Sequence, residues 1–570
     1  MTSTYDTLLA RLQLAFDVLE PGADPVLRTS DRSDFQSNGV MSLAKRLGRP
    51  PRDVAEEIVG HADLGDVASV EVAGPGFLNL TLGPAFLERQ LVALLGDERL
   101  GIATAPVPKT VVIDYSAPNV AKEMHVGNLR STVIGDALAR SYRFAGHHVI
   151  ARNHVGDWGT PFAMLIEHLL DTGEGESALS IGDLDGFYKE ARVKFDSDDA
   201  FKERSRARVV ALQSGDLETL RLWRIIVDQS ITYLDLVYQD LGVSLVVDDV
   251  VGESFYNPML ADVVADLDEA GLLVNSGGAL CVFPPGFTNR DGEALPLIVQ
   301  KSDEGFGYAA SDLAAVRDRV DNLHADEMLY VVGVPQAQHF EMVFAVARLA
   351  GWLPDRVRCE HVTFGNVLGT DRKMFKSRSG ETVKLASLLG EAIERADEAL
   401  KERNTDLDDV ARVELAVQIA RAAIKYADLS TDRQHDYVFD LDRMIAFEGD
   451  TGPYLQYAHA RLRSIFRRLG ETWTPSPITF ALRVDQERHL ALGLLAFPEA
   501  FDAALAHLQP HRLCVYLFDL AQRLTAFYDA CPVLSSEGAL REQRLALCDL
   551  AARTLSIGLS VLGIDAPEKM

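Results

Sequence analysis

No stretch of this sequence approaches the roughly 20 apolar residues that a bilayer-spanning helix needs, which argues against an integral membrane protein. Cysteine is scarce and scattered: Cys281, Cys359, Cys514, Cys531 and Cys548 never stand close together. That excludes a CxxC metal or redox motif and fits reduced thiols in a cytosol. His147, His148 and His154 cluster with no cysteine nearby, so no structural metal is expected. Positive charge is in deficit, with 56 Lys and Arg against 84 Asp and Glu and a net charge of −28. A dedicated nucleic-acid binder is usually basic over its binding domain, so the balance argues against one, yet an acidic body can still carry a local basic surface. The opening Met1–Leu14 has no basic stretch followed by an apolar one, so no secretory leader is expected. Internal repeats and low-complexity tracts are also missing. What is present is the composition of a soluble globular protein, 47% hydrophobic and 25% charged, over 570 residues, enough for two to four domains.

Three regions separate along the chain. Residues 1–105 read as a small α/β domain, with an amphipathic helix (Leu8, Leu12, Phe16, Leu19), helices near Met41–Leu47 and Asp53–Gly60, and strands Val67–Val72 and Phe77–Leu82 about a Gly74-Pro75-Gly76 turn. Residues 106–384 open with a βαβ unit. Val111–Ser116 has the pattern of a buried parallel strand, a helix follows from about Val126, Gly146 stands where its C-cap belongs, and His148–Asn153 is the next strand. Such a unit predicts a doubly wound parallel sheet with ligands at the carboxyl ends of its strands. Residues 174–290 look like an insertion, after which strand Met328–Val332 and helix His339–Leu349 resume the pattern. Residues 385–570 have helical period almost throughout.

Two short strings carry chemistry. His125-Val126-Gly127-Asn128 stands where the first strand hands over to its helix. A helix N-terminus presents free N–H groups and partial positive charge, and Gly127 lets a phosphate approach the backbone. The same four residues would also serve as an ordinary helix start. Lys373-Met374-Phe375-Lys376-Ser377-Arg378, followed by Gly380, sets two lysines three apart where they can bracket a leaving pyrophosphate; alone it is equally a solvated basic loop.

In this order and about 250 residues apart, the two strings resemble the HIGH and KMSKS signatures of class I aminoacyl-tRNA synthetases. Longer strings are similar to the arginyl-tRNA synthetases in particular: Asp114 to His125, Asn153 to Thr160, Tyr308 to Asp312, Gln336 with His339, Asp428-Leu429-Ser430, and Phe447 to Ala458. The resemblance runs nearly end to end. It implies a Rossmann-type catalytic domain, a small N-terminal α/β domain that meets the tRNA elbow, and a C-terminal all-α anticodon-binding domain.

The resemblance also implies the substrates: ATP with Mg²⁺, L-arginine and tRNA(Arg), used by a cytoplasmic monomer without a membrane. His125, Gly127 and Asn128 would bind ATP at the α-phosphate, and Lys373 and Lys376 would meet the departing pyrophosphate, with Lys122 adding charge upstream. Asn119, Asn153, Tyr308, Asp312 and Gln336 would form the arginine pocket. A guanidinium needs a planar acceptor, which Asp312 supplies; by itself Asp312 would also suit a helix N-cap and Asn153 a turn. Phe35 and Asn38 would meet the tRNA elbow, while Tyr454, Tyr457, Arg461 and the terminal Met570 would meet the anticodon. Two residues depart from the signatures: the fourth position of the first is Asn128, where most of the family has histidine, and the middle of the second is Phe375 rather than serine, a change the family tolerates.

Overall fold

The computed structural model describes residues 3–120, 122–173, 184–302, 305–375, 383–403, 407–470, 472–475 and 478–570. At its centre is a five-stranded sheet. In spatial order its strands are Arg358–His361, Glu327–Tyr330, Thr110–Asp114, His148–Val155 and Val250–Gly252, every pair parallel. In chain order this reads 5-4-1-2-3, so the winding direction reverses between the first and fourth strands. That reversal opens a crevice at the carboxyl ends of the strands, where ligands of such sheets sit.

The first strand forms because Val111, Val112 and Ile113 are fully buried, each worth about 1.5–3 kcal/mol of apolar transfer. The following helix, Val126–Phe144, begins in a reciprocal capping box and buries Leu129, Val133, Ile134, Ala137 and Leu138. It ends at Ala145, and Gly146 follows with a positive φ of 89°, a conformation that favours glycine.

The opening domain holds a four-stranded antiparallel sheet ordered Leu27–Thr29, Phe35–Ser37, Phe77–Leu82, Ala68–Ala73, backed by helices Thr4–Leu19, Val40–Leu47 and Pro51–His61. The insertion supplies helices Leu184–Ser197, Asp199–Gln213 and Leu217–Leu241, and the small sheet of Val274–Ser276, Ala279–Val282 and Leu297–Gln300 follows. From Leu385 onward the described chain is helical except for Tyr437–Val438, which pairs in parallel with Val367–Leu368 of the catalytic region. Asp485–Ala506 has the length and composition to cross a bilayer, but it is two helices, Asp485–Leu495 and Phe497–Ala506, half buried inside the protein like a core element.

The helical region is keyed to the signature helix by buried charge. Arg130 pairs with Asp428 at 3.3 Å, both essentially inaccessible, and donates to the His435 carbonyl at 2.8 Å. Breaking such a pair by removing one partner costs about 3–5 kcal/mol, because the other charge is left buried alone.

Candidate active site and anticodon cleft

The first signature sits where the central sheet requires it. His125 is the N-cap of the Val126–Phe144 helix: its Nδ1 accepts the Gly127 N–H at 3.0 Å, and its own N–H donates to Asn128 Oδ1 at 3.1 Å. A Cβ on Gly127 would lie 2.7 Å from the His125 ring, so glycine is needed for the imidazole to fold over the helix end. Burial, and then the charge of Lys122, push the His125 pKa down, which favours a neutral ring in the free enzyme. Lys122 itself lies over the Tyr188 ring at 4.4 Å. Asn128 spends Oδ1 on the cap; its Nδ2 end is the donor left for a ligand.

The chain beyond the second signature docks directly on the first. Val126 N–H donates to the Val383 carbonyl at 3.0 Å and Leu385 N–H to the Met124 carbonyl at 2.9 Å, while Lys384 pairs with Glu123 at 2.9 Å. Lys373 is exposed on a tight turn, its N–H held by Asp371 Oδ1 at 3.0 Å. Lys376, with Ser377, Arg378 and Gly380, lies outside the described residues.

The arginine-pocket candidates gather on the carboxyl side of the sheet, from four elements. Tyr308 opens the Tyr308–Asp321 helix and is 75% exposed, with Asp312 one turn on. Gly307 is the N-cap of that helix, so Asp312 is free of capping duty. His339 Nε2 donates to Asp312 Oδ2 at 2.6 Å, and Gln336, exposed, caps the helix that carries His339. Asn119 bridges Gly156 in parallel register and is exposed.

Asn153 differs from expectation. It is completely buried, its Oδ1 accepting the Ala117 N–H and its Nδ2 donating to the Tyr238 hydroxyl, both at 2.9 Å. Its side chain therefore holds the protein rather than facing an open pocket. What it holds is strained backbone: Ser116 and Ala117 have φ of 72° and 43°. Ser131 Oγ accepts the Ser116 N–H at 2.8 Å, and the Tyr238 hydroxyl lies 2.8 Å from Ser116 Oγ, completing the brace.

Sequence reasoning missed Glu253. It follows the Val250–Gly252 strand, and burial, then the charges of Asp157 and Asp312, push its pKa up to about 7. Its Oε1 would lie 3.7 Å from a Cβ on Gly156, and Asn119 Oδ1 only 2.8 Å, so both side chains crowd the same bare glycine. Asp157 is also raised, by burial, and is held by Ser254 N–H at 2.8 Å and Ser254 Oγ at 2.6 Å. A half-buried carboxyl raised by burial and by neighbouring negative charge is a candidate partner for a bound cation. No string announces Glu253, because it belongs to the insertion; only the sheet order reveals it.

A second constellation lies on the Gly452–Leu469 helix. Tyr454, Tyr457 and Arg461 line a small cleft closed by Leu524, Thr525 and Tyr528. The Arg461 guanidinium lies 3.7 Å from the Tyr528 ring centre, Tyr454 packs edge-on against Phe518, and Tyr457 is 37% exposed. Arg463 and Arg467 bind Glu568, and His459 Nδ1 lies 3.0 Å from the Pro567 carbonyl oxygen, so the terminal segment ending at Met570 is laid along this helix. In the opening domain the Phe35 ring is 6% exposed because its strand turns it into the core, so it offers RNA no surface; Asn38 is half-buried. A cleft of about 1150 Å³ lies between Thr29–Phe35 and the helices around His489 and Arg523, away from both signatures. Size does not locate the chemistry here. Among the described residues no cluster of three or more His, Cys, Asp or Glu could hold a metal ion.

Comparison with known proteins agrees along the whole chain. Residues 90–441 match the family of class I tRNA synthetases (R), catalytic domain; residues 455–570 match the DALR anticodon binding domain; and residues 7–82 match the arginyl tRNA synthetase N terminal domain. The chain is 52% identical to the arginine–tRNA ligase of Thermobifida fusca, with 99% of each chain covered, and 49% identical to that of Streptomyces coelicolor, with all of each covered. It superimposes on the arginyl-tRNA synthetase of Plasmodium falciparum with TM-score 0.87 at 30% identity over all of both chains, and on that of Thermus thermophilus with TM-score 0.84 at 28% identity over 99% of each. An N-capped signature helix beside a half-buried, raised carboxyl, an aromatic cleft on a remote helix and these full-length matches converge: the chain belongs to the arginyl-tRNA synthetases, class I ligases that join arginine to tRNA.

Proposed function

We propose that this ligase grips the arginine guanidinium between Asp312 and Glu253 and charges tRNA(Arg) in two steps. The carrying observation is that the Glu253 pKa is pushed up to about 7, by burial first and then by the charges of Asp157 and Asp312, which makes a bound cation the natural relief. Asn119 and Gln336, exposed at the pocket's rim, would meet the ammonium and carboxylate ends, and the exposed Tyr308 ring would cover the aliphatic stem. Asn153 acts behind them, bracing Ser116–Ala117.

Arginine's carboxylate is ionised at neutral pH and needs no general base to attack the α-phosphorus of ATP. The bond to the β-phosphate bridging oxygen breaks and magnesium pyrophosphate leaves, so catalysis rests on alignment and on stabilising phosphoryl charge. Mg²⁺ enters as part of the nucleotide substrate. The helix N-terminus at Val126–Asn128, with His125 and the free amide end of Asn128, receives the α-phosphate; Lys122, Lys373 and Lys376 offset the charge on the leaving group. The terminal ribose hydroxyl of the tRNA then attacks the arginyl carbonyl and AMP departs.

Tyr457 and Arg461, in the cleft closed by Tyr528, take unpaired anticodon bases and the neighbouring phosphates, with Met570 alongside and Asn38 at the elbow. Arginine activation waits for tRNA, a dependence for which the Arg130–Asp428 pair between signature helix and helical domain is a suitable connection. The enzyme acts in the cytoplasm, a reading that five free cysteines support, and as a monomer on family grounds alone. Purified protein with labelled arginine and total tRNA should yield arginyl-tRNA, and arginine-dependent ATP–pyrophosphate exchange should need tRNA. Full exchange without tRNA would instead mark an arginine-activating enzyme outside translation.

A further inference from the structure

We infer that Phe375 and Phe439 form the seat that holds the start of the second signature, Lys373–Phe375, in register for arginine activation, making both positioning residues for that step. The inference rests on the proposed role of Lys373 at the leaving group. The loop leaves the two-residue strand Val367–Leu368 and turns at once: Arg372 N–H donates to the Gly369 carbonyl and Gly369 N–H to the Lys373 carbonyl, both at 2.8 Å, with Arg372 at φ 60°. Met374 then bridges back to Leu368, and Phe375 N–H reaches the Val367 carbonyl at 3.1 Å. This small hairpin leaves Lys373 exposed and Met374 56% exposed. Phe375 is partly buried, and its ring lies on Phe439 with centroids 5.0 Å apart and planes 29° from parallel. Phe439 is 5% exposed.

The same short segment also grips the other edge of the hairpin's base. Tyr437–Val438 pairs in parallel with Val367–Leu368, Tyr437 N–H donates to the Asn366 carbonyl at 3.2 Å, and Phe439 N–H donates to the Leu368 carbonyl at 2.8 Å. Asp436 Oδ1 accepts the Asn366 N–H at 2.5 Å. Residues 436–439 therefore hold the loop by backbone and by ring together. They are themselves fixed from the first signature: the Arg130 guanidinium lies 5.3 Å from the Tyr437 ring centre and donates to the His435 carbonyl. One buried arginine on the signature helix thus positions the segment on which the second signature is seated. A lysine that meets charge appearing only in the transition state needs such preorganisation, and a misplacement of about 1 Å costs on the order of 100-fold in rate.

The test is tRNA-saturated, arginine-dependent ATP–pyrophosphate exchange on the full-length enzyme, with thermal midpoints recorded in parallel. Phe375→Ala should lower kcat at least ten-fold while the arginine KM stays within two-fold, because the pocket at Asp312 is untouched. Phe375→Tyr, which keeps a ring on Phe439, should stay within two-fold of wild type. Phe439→Ala should reproduce the loss, and the double variant should be no worse than the poorer single one. A purely structural pair would lower the thermal midpoint without this split between kcat and KM. The inference is overturned if Phe375→Ala keeps kcat within two-fold, or if the two losses multiply. Should Phe439→Ala fail to fold, Phe375→Ala, at a partly exposed position, decides alone. Wild-type enzyme that charges no arginine tRNA would sink the underlying function, whereas active wild type with an unaffected Phe375→Ala sinks the seat only.

Discussion

The proposed arginine pocket and the proposed anticodon cleft solve opposite electrostatic problems on one acidic chain. The pocket buries Glu253, beside the charges of Asp157 and Asp312, until it resists ionisation, and so would welcome a cation. The cleft stacks Arg461 on Tyr528 beside Tyr457, and so awaits bases and phosphates. A net charge of −28 therefore says little about either partner. Recognition is set within a few ångströms, where burial magnifies charge, and solvent screens the remaining surface.

The contrast is broken most severely by Asp312→Ala. The substitution leaves the guanidinium without its nearest planar acceptor and His339 without its partner at 2.6 Å. Truncating one side of a buried, hydrogen-bonded charge pair costs roughly 2–5 kcal/mol, so kcat/KM for arginine should fall by about 30-fold or more. The tRNA Kd should stay near wild type, since the cleft is on another element. Near-normal arginine efficiency in this variant would remove Asp312 from the pocket.

On the other side of the comparison, Tyr457→Ala should act on tRNA alone. Losing a base-stacking aromatic costs about 1–3 kcal/mol, roughly a five- to 150-fold rise in tRNA KM, with arginine KM unchanged once tRNA saturates. Arg461→Ala should in addition flatten the salt dependence of tRNA binding, by about 0.7 in the log–log slope if it meets one single-stranded phosphate. If Tyr457→Ala binds tRNA as wild type does, the cleft is not where unpaired bases go.

Glu253→Gln sharpens the difference because it separates charge from shape. The folded pKa, about 7, lies above the ordinary 4.5, so the free enzyme holds a proton there that an unfolded chain has already lost. Two signs follow. The stability contributed by the neutral carboxyl is fully present below about pH 4.5 and is lost as pH rises through about 7. Arginine affinity moves the other way, since the guanidinium needs the ionised form: arginine KM should fall about five-fold between pH 6 and 7 and level off above about pH 8. Glu253→Gln should abolish both dependences, with a higher, pH-flat arginine KM. An unchanged pH profile would show that Glu253 does not face the substrate.

Much of this architecture was legible in the sequence, for reasons that also explain what was not. Strands such as Thr110–Asp114 are buried on both faces and read as apolar runs, and a capped helix start concentrates its chemistry in four adjacent residues. Asp312 stands one turn from Tyr308 in a contiguous string, so the sequence offers it as a pocket candidate. Glu253 could not, since its meaning depends on the third strand packing at the sheet edge beside Gly156, a fact of topology rather than of local pattern. Asn153 falls inside its strand, which runs on to Val155, and whether such a side chain faces ligand or core is decided by what packs behind it, here Tyr238 from the insertion. Phe35 was misjudged for a related reason: a three-residue strand is too short for its inward face to be read from alternation, and the ring proved to be core. The helical region concealed the strand Tyr437–Val438 because two residues carry no period.

Asn128→His is the mildest change and tests how the first signature divides its labour. In the free enzyme Asn128 Oδ1 accepts the His125 N–H, closing the capping box, while its amide nitrogen can still donate to phosphate. A neutral imidazole can do both as well, accepting through one nitrogen and donating through the other, and it can also become a cation as phosphoryl charge grows. Activation should therefore be equal or up to a few-fold faster, with the larger gain at lower pH, where the imidazolium is populated. Asn128→Ala keeps neither function and should lose helix-cap stability of about 1 kcal/mol along with rate. If Asn128→His instead lost activity as severely as Asn128→Ala, the asparagine would be serving a contact that only a flat, uncharged amide can make, and the α-phosphate assignment at this helix end would have to pass to His125 and the backbone N–H groups alone.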